Sequence, residues 1–198
     1  MFKQEPIKIA ILAMGGEGGG VLADWVVDLA EHQGWYAQTT SVPGVAQRTG
    51  ATIYYVELFQ KTTGTGERRP VLALMPMPGD VDVVLCSELM EAGRAVQRGI
   101  VTADRTTLVT STHRVYSIAE KAMMGDGRVN SDILLEQAGK ASKRLVSFDM
   151  AQAAEQISNG NLDAEGFTAS GKDEIAQLAR SFERMRRSLA KSVALLGG

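Results

Sequence analysis

The chain has 198 residues, 44% of them hydrophobic and 22% charged, with a formal net charge of −2. That composition is ordinary for a soluble globular protein, with length for one full domain and part of another. The small net charge gives no whole-molecule reason to expect nucleic acid or anionic membrane as a partner. No apolar run approaches the roughly 18 residues of a membrane span, and no secretory segment precedes Ile7, so a cytoplasmic location is expected. Cys86 is the single cysteine. One thiol excludes an internal disulfide, a thiolate zinc cluster and an iron–sulfur ligand set. His32 and His113 carry no ligand spacing, so no metal site is expected, and Cys86 reads as a small buried hydrophobe.

The first element is an apolar run from Ile9 to Met14, as suits a parallel strand buried on both faces. Gly15, Gly16, Glu17, Gly18, Gly19 and Gly20 follow, and then a helix from Val21 to His32 with Val21, Leu22, Trp25, Val26 and Leu29 on one stripe. Strand, glycine turn and helix open a doubly wound α/β domain, and the N–H groups of such a helix start can hold an anion. The dinucleotide fingerprint is incomplete. Counting from Gly16 and Gly18 puts Val21 at the third glycine position, and counting from Gly15 puts Glu17 where a carboxylate would repel a pyrophosphate. The acidic ribose partner expected about 20 residues on is missing from Trp35 to Thr40. Two readings of the turn stay open, a phosphate-binding loop and a turn that packs helix on strand or meets a partner subunit. The second has the better claim. Asp24 and Asp28, four apart, read as the helix's solvated face.

Gly34 suits a helix C-terminus, and Trp35 to Thr40 reads as a second strand. Ser41-Val42-Pro43-Gly44-Val45-Ala46-Gln47-Arg48-Thr49-Gly50 is a Pro-Gly turn carrying an arginine. Arg48, flanked by Gly44 and Gly50, could pair a carboxylate or phosphate bidentately, or form an ordinary ion pair fixing the loop. Ser41 and Thr49 are candidate donors in the same region, or local caps of the turn backbone. Ala51 to Phe59 reads as a strand, Lys61 to Arg69 as a hairpin tip, and Val71 to Met75 as the returning strand, closed by Pro76 and Pro78. Met75 and Met77 read as packing residues.

Val81 to Cys86 is another apolar strand, Glu88 to Val96 a helix ending at Gly99, and Thr107 to Thr110 a short strand. His113, beside Arg114, is read as a surface-loop residue over an acid–base group. Tyr116 to Met124 reads as a helix stopping at Gly125-Asp126-Gly127, Ser131 as the N-cap of a helix over Asp132 to Ala141, and Arg144 to Asp149 as the last strand. Strands alternating with helices predict an α/β fold, a mostly parallel, Rossmann-like three-layer sandwich with helices on both faces.

Two motifs make a family resemblance. Gly15-Gly16-Glu17-Gly18-Gly19-Gly20-Val21-Leu22-Ala23-Asp24-Trp25, with Ser41-Val42-Pro43-Gly44-Val45-Ala46-Gln47-Arg48-Thr49-Gly50-Ala51-Thr52, resembles the beta subunit of indolepyruvate:ferredoxin oxidoreductase. More broadly it resembles the gamma-type domain of 2-oxoacid:ferredoxin oxidoreductases, over about Lys8 to Met150. Asp80-Val81-Asp82-Val83 and Ser87-Glu88-Leu89-Met90-Glu91-Ala92-Gly93-Arg94 extend it. The resemblance implies oxidative decarboxylation of arylpyruvates, with coenzyme A as acyl acceptor and ferredoxin as electron acceptor. It places thiamine diphosphate and the iron–sulfur clusters mainly in a partner alpha subunit, and this domain beside the acyl-acceptor path. Gly15 to Gly20 and Pro43 to Gly50 are then loops at the C-terminal edge of the sheet, where α/β proteins bind ligands and partners. No catalytic residue is assigned.

From residue 151 the chain departs from that family. Ile157-Ser158-Asn159-Gly160-Asn161-Leu162-Asp163 and Gly171 to Leu189 resemble the connector and second helix of a HAMP domain, with Glu183 where asparagine is usual. Ile175, Leu178, Phe182, Met185 and Leu189 recur at spacings of three and four, an amphipathic helix that wants a partner. Asp173 and Glu174 at its start and Arg184, Arg186 and Arg187 near its end suit the macrodipole. The first HAMP helix is at most Met150 to Ser158, so a hybrid chain is expected, its last helix packing on the α/β domain or forming a homodimer. The function expected is an oxidoreductase subunit. The alternative is a signalling or dimerisation protein with the α/β domain as sensor. A free-standing dinucleotide-binding domain is disfavoured by Glu17.

Overall fold

The computed structural model describes residues 5–42, 51–61, 70–116, 118–122 and 128–158. The chain divides into two compact units, Met1–Phe148 and Asp149–Gly198. The first holds a six-stranded sheet of order β2-β3-β1-β4-β5-β6. Its strands are β1 (Ile7–Ala13), β2 (Trp35–Val42), β3 (Thr52–Gln60), β4 (Val83–Cys86), β5 (Thr107–Ser111) and β6 (Arg144–Phe148). The helices of this unit are α1 (Gly19–His32), α2 (Leu89–Gln97), α3 (Ile118–Ala122) and α4 (Ser131–Ala141). β1–β4, β4–β5 and β5–β6 pair in parallel, while β3 runs antiparallel to both β1 and β2. Five strands therefore share one direction and β3 alone opposes them, the mostly parallel α/β arrangement that the alternation of elements predicts.

Residues opposite one another on paired strands share a face. Ala10, Leu12, Ile53, Val84, Cys86 and Leu108 make one face, and Ala92 and Ala95 of α2 with Ala138 of α4 join them in the main core. Leu12, Val84, Cys86 and Leu108 are all fully buried, and burying each of the three aliphatic side chains among them contributes about 1.5–3 kcal/mol of transfer free energy. The small residues of α2 let its axis approach the sheet closely. α1 covers the opposite face over β1, β3 and β2, burying Ala23, Val26 and Ala30 while Asp24 and Asp28 stay exposed as expected. Helices on both faces give the three layers.

The amino-terminal edge of the sheet is fastened by charge. The Lys8 N–H donates to Asp82 at 2.8 Å and its ammonium reaches Asp80 at 2.5 Å. Arg105 bridges the same two carboxylates at 2.8 Å each. The Asp80-Val81-Asp82-Val83 motif thus ties β4 to β1 at the end remote from the glycine turn.

Three expectations are corrected. Val71–Met75 is not a strand: Pro70, Pro76 and Pro78 bracket it and supply no N–H for a ladder. Side chains from β2 and β3 bind its backbone instead. Glu57 accepts from the Ala73 N–H at 2.8 Å, Gln38 donates to the Ala73 carbonyl at 3.3 Å, and Thr40 donates to the Leu74 carbonyl at 2.6 Å. The segment is a strap across the sheet face, and Met75 and Met77, expected to pack, are 52% and 57% exposed on it. The cap of α4 is Asn130, one residue earlier than expected, because its side-chain oxygen accepts from both the Asp132 and Ile133 N–H groups, at 2.9 and 3.1 Å. The hairpin tip placed at 61–69 lies outside the described residues but for Lys61, as does Gly125-Asp126-Gly127. In the second unit, α5 spans Met150–Ser158; the amphipathic stretch from 173 to 189 lies outside the described residues.

Candidate functional site

β1, β2 and β4 run the same way, so their carboxyl ends share one edge of the sheet. The turn from 14 to 18 leaves β1 there, Ser87 and Glu88 leave β4, and the chain departs β2 at Val42 to re-enter β3 at Thr52. β1 sends its helix to one face and β4 sends its helix to the other. Outside their ends lies the switch point at which open α/β sheets bind ligands.

The glycines of the turn differ in what requires them. Gly18 is the N-cap of α1 with φ +75°, and Gly16 has φ +90°, backbone that side-chained residues rarely adopt. Gly19 is needed for space: a Cβ there would lie 2.5 Å from the Ala13 Cβ and 2.8 Å from Cε2 of Tyr54. At Gly20 the Tyr54 ring would stand 3.2 Å away. Around Gly15 there is open space. The turn therefore packs the start of α1 onto β1 and the Tyr54 ring. Ser41, exposed near the end of β2, is the ladder partner of Tyr54. Gly19 and Gly20 are so brought against one aromatic ring that sequence patterning did not single out, and Ser41 stands opposite that tyrosine in the ladder. Pro43, Gly44, Arg48, Thr49 and Gly50 lie outside the described residues.

Glu17 closes the crevice. Its carboxylate accepts from the Met14 N–H at 3.0 Å and from the Ser87 hydroxyl, bridging the ends of β1 and β4. No acidic residue or side-chain cap occupies the first turn of α1. A pyrophosphate entering the crevice would meet the Glu17 charge, so the residues as they stand do not fit that group.

Beside the crevice lies a buried charged cluster. Glu88, the N-cap of α2, accepts from the Met90 N–H at 2.8 Å and the Val115 N–H at 3.1 Å. Arg114, its side chain 6% exposed, places Nε 3.4 Å from Glu88 and Nη2 2.6 Å from Glu120. Its other nitrogen donates to the Val129 carbonyl at 3.0 Å, and the guanidinium stacks 5.1 Å from the Tyr116 centroid. Burial raises the Glu88 carboxyl above its ordinary value against the pull of the two N–H groups and Arg114. Both Glu88 oxygens accept a backbone N–H, so the cluster fastens the β4–α2 junction to the segment after β5. His113 belongs to this fastening through its backbone: its carbonyl accepts from Leu89 N–H at 3.1 Å and its N–H donates to Ser111 at 3.1 Å. Cys86 is fully buried beneath, and burial, then Glu91 and Glu88, push its thiol well up, which makes it a packing residue. Among the described residues no group of side chains could hold a metal ion, and no helix is long and apolar enough to cross a membrane.

Sequence reasoning missed Tyr54, Ser87 and the Glu88–Arg114 pairing. Ser87-Glu88 stood in the resemblance motif; nothing local pointed to Tyr54.

The family model of the HAMP domain matches residues 149–191. The match begins before the connector at 157 and takes in α5. No curated protein matches the chain. Among solved structures, the chain is similar to the PORC subunit of pyruvate oxidoreductase from Thermotoga maritima, at 16% identity, TM-score 0.46, covering 79% of this chain and 68% of that one. It is similar to 2-oxoglutarate:ferredoxin oxidoreductase from Magnetococcus marinus at 15% identity, TM-score 0.48, covering 96% of this chain and 32% of that one. It is similar to the gamma subunit of keto/oxoacid ferredoxin oxidoreductase from Geobacter sulfurreducens PCA at 15% identity, TM-score 0.46, covering 93% and 94%. The chain thus spans about a third of the length of the Magnetococcus enzyme chain. At these identities and scores the likenesses decide nothing about activity.

Proposed function

We propose that this chain is the non-thiamine-binding subunit of a 2-oxoacid:ferredoxin oxidoreductase, acting on indolepyruvate or another arylpyruvate. The observation that supports the reading is where the described ends of its two motifs lie. The glycine turn leaves β1 at the same edge of the sheet at which β2 ends with Val42 and β3 begins with Thr52. In this reading residues 1–150 are the gamma-type domain and 151–198 a partial HAMP-like tail, in a cytoplasmic complex. A partner alpha subunit holds thiamine diphosphate, which supplies the decarboxylation, and the clusters that pass electrons to ferredoxin. One buried cysteine leaves this chain no donor set for a cluster. Its own work is to shape the acyl-acceptor side, with Arg48 pairing an anionic group of coenzyme A and Gly15, Gly16, Gly18, Ser41, Pro43, Gly44, Thr49 and Gly50 forming the loops there. Glu17 must leave the crevice before an anion can enter it.

Co-expression with an indolepyruvate oxidoreductase alpha subunit tests this. The two chains should co-elute on size exclusion, and Arg48→Gln should weaken coenzyme A use while leaving the complex intact. A chain that never associates overturns the reading.

The HAMP match at 149–191 favours a second reading, a signalling or dimerisation protein with the sheet unit as sensor. It requires a parallel helical dimer through that segment, which disulfide trapping of a cysteine placed at Leu178 would detect.

A further inference from the structure

The two edges of the sheet are unlike. β6 is five residues long and begins with the exposed charge of Arg144, a guarded edge. β2 is eight residues, Trp35-Tyr36-Ala37-Gln38-Thr39-Thr40-Ser41-Val42, with no charge and no proline, and among the described residues no strand pairs with its outer side. Natural sheets blunt long edges with charge, proline, a bulge or a covering element, because unpaired N–H and C=O groups recruit another strand. Here the segment that could have covered it, Val71–Met75, is held on the sheet face by Glu57, Gln38 and Thr40. That anchoring fixes the strap by its backbone and turns its apolar side chains outward. Val71 is 100% exposed and Leu74 70%.

From this we infer that β2 and the strap form one homodimer interface, in which β2 pairs antiparallel with β2 of a second copy and the two sheets become one. Charge and area favour a second copy. Neither β2 nor the segment 70–79 carries a charged residue, so no like charges meet across a two-fold axis. Lys61, 4.9 Å from the Tyr36 centroid, lies at the strand's beginning, on the rim. Local two-fold axes of an antiparallel ladder stand perpendicular to the sheet, so both straps fall on the same face and their apolar side chains approach each other. An edge of eight residues runs about 26 Å and buries too little by itself. The strap adds the apolar side chains of Val71, Leu74, Met75 and Met77 beside it, 100%, 70%, 52% and 57% exposed, on the scale of the roughly 300–600 Å² of the largest patch on a typical monomer. Together they approach the roughly 800 Å² per partner of a standard interface.

The test uses the full chain, by light scattering after size exclusion and by hydrogen exchange over a roughly 100-fold concentration range. A dimer is expected, with amide exchange across Trp35–Val42 slowing as it forms. Ser41→Lys and Leu74→Glu alter exposed positions and should each raise the dissociation constant at least about tenfold, with unchanged circular dichroism. A chain that stays monomeric, or binds only a different protein, overturns the inference. So does a dimer whose β2 exchange does not change with concentration, because that dimer is held elsewhere, as through the C-terminal segment.

Discussion

Replacing Gly19 with alanine separates a glycine turn that packs from one that only serves a ligand. The added Cβ would stand 2.5 Å from the Ala13 Cβ and 2.8 Å from the Tyr54 ring, where carbon atoms prefer about 3.5–4.0 Å. Ala13 ends β1 in the sheet centre and cannot retreat, so the start of α1 must shift by about 1 Å. Overpacking of this kind costs about 1–3 kcal/mol, offset by about 0.4–1 kcal/mol from the stiffer unfolded chain. A net loss of about 1–2 kcal/mol lowers the melting temperature by about 2–8 °C for a unit of this size. Trp25 on α1 and Trp35 on β2 are the chain's tryptophans, so fluorescence-detected unfolding reports on the sheet unit itself. Gly15→Ala, whose Cβ meets nothing, is the control and should stay within about 0.5 kcal/mol of the parent. Equal stability of Gly19→Ala and the parent would refute the packing account, and so would equal damage from Gly15→Ala.

Arg114→Met should destabilise by about 3–5 kcal/mol in denaturant titrations, since it removes a 6%-exposed guanidinium from beside the Glu88 carboxylate, itself 3% exposed. Glu88→Gln tests the pH dependence. The folded state holds the Glu88 proton more tightly than the unfolded state, so its contribution is present below the usual carboxylate range and is lost as pH rises through the raised value. The stability of Glu88→Gln relative to the parent should therefore climb with pH across that window and level off above it; a flat difference contradicts the shift. Asn130→Ala should cost about 1 kcal/mol through the lost cap of α4, read as the change in unfolding midpoint. Glu57→Leu should free the strap: the amide of Ala73, bonded to Glu57 at 2.8 Å, should exchange about tenfold faster, a loss of about 1.4 kcal/mol. Unchanged exchange there would mean the strap is held by something else.

The opening of the fold was legible because its signals are local. Apolar residues from Ile9, a glycine run and a 3.6-residue stripe specify strand, turn and helix without knowledge of any partner. The direction of β3 was not legible, because alternation and β-propensity are the same for a strand run either way. Val71–Met75 misled for a related reason: its apolar run matches a strand, but whether a segment joins a ladder depends on what neighbouring side chains take from its backbone. Gln38, Thr40 and Glu57 took those groups, and all three lie outside the segment. At the candidate site the glycines and Ser41 were found by motif. Tyr54 was missed because it meets Gly19 only through the β1–β3 register. Arg114 was passed over for its neighbour His113, since the pairing with Glu88 joins the ends of two different strands.

The central claim is that this chain completes an oxidoreductase. Its most direct test is dye reduction by the alpha subunit with indolepyruvate and coenzyme A, measured with and without the chain. The account predicts coenzyme A-dependent reduction only when the chain is present, and loss of that dependence with Arg48→Gln. Equal rates with and without it, from a preparation in which both proteins are folded, would contradict the account and leave the HAMP-type signalling reading in its place.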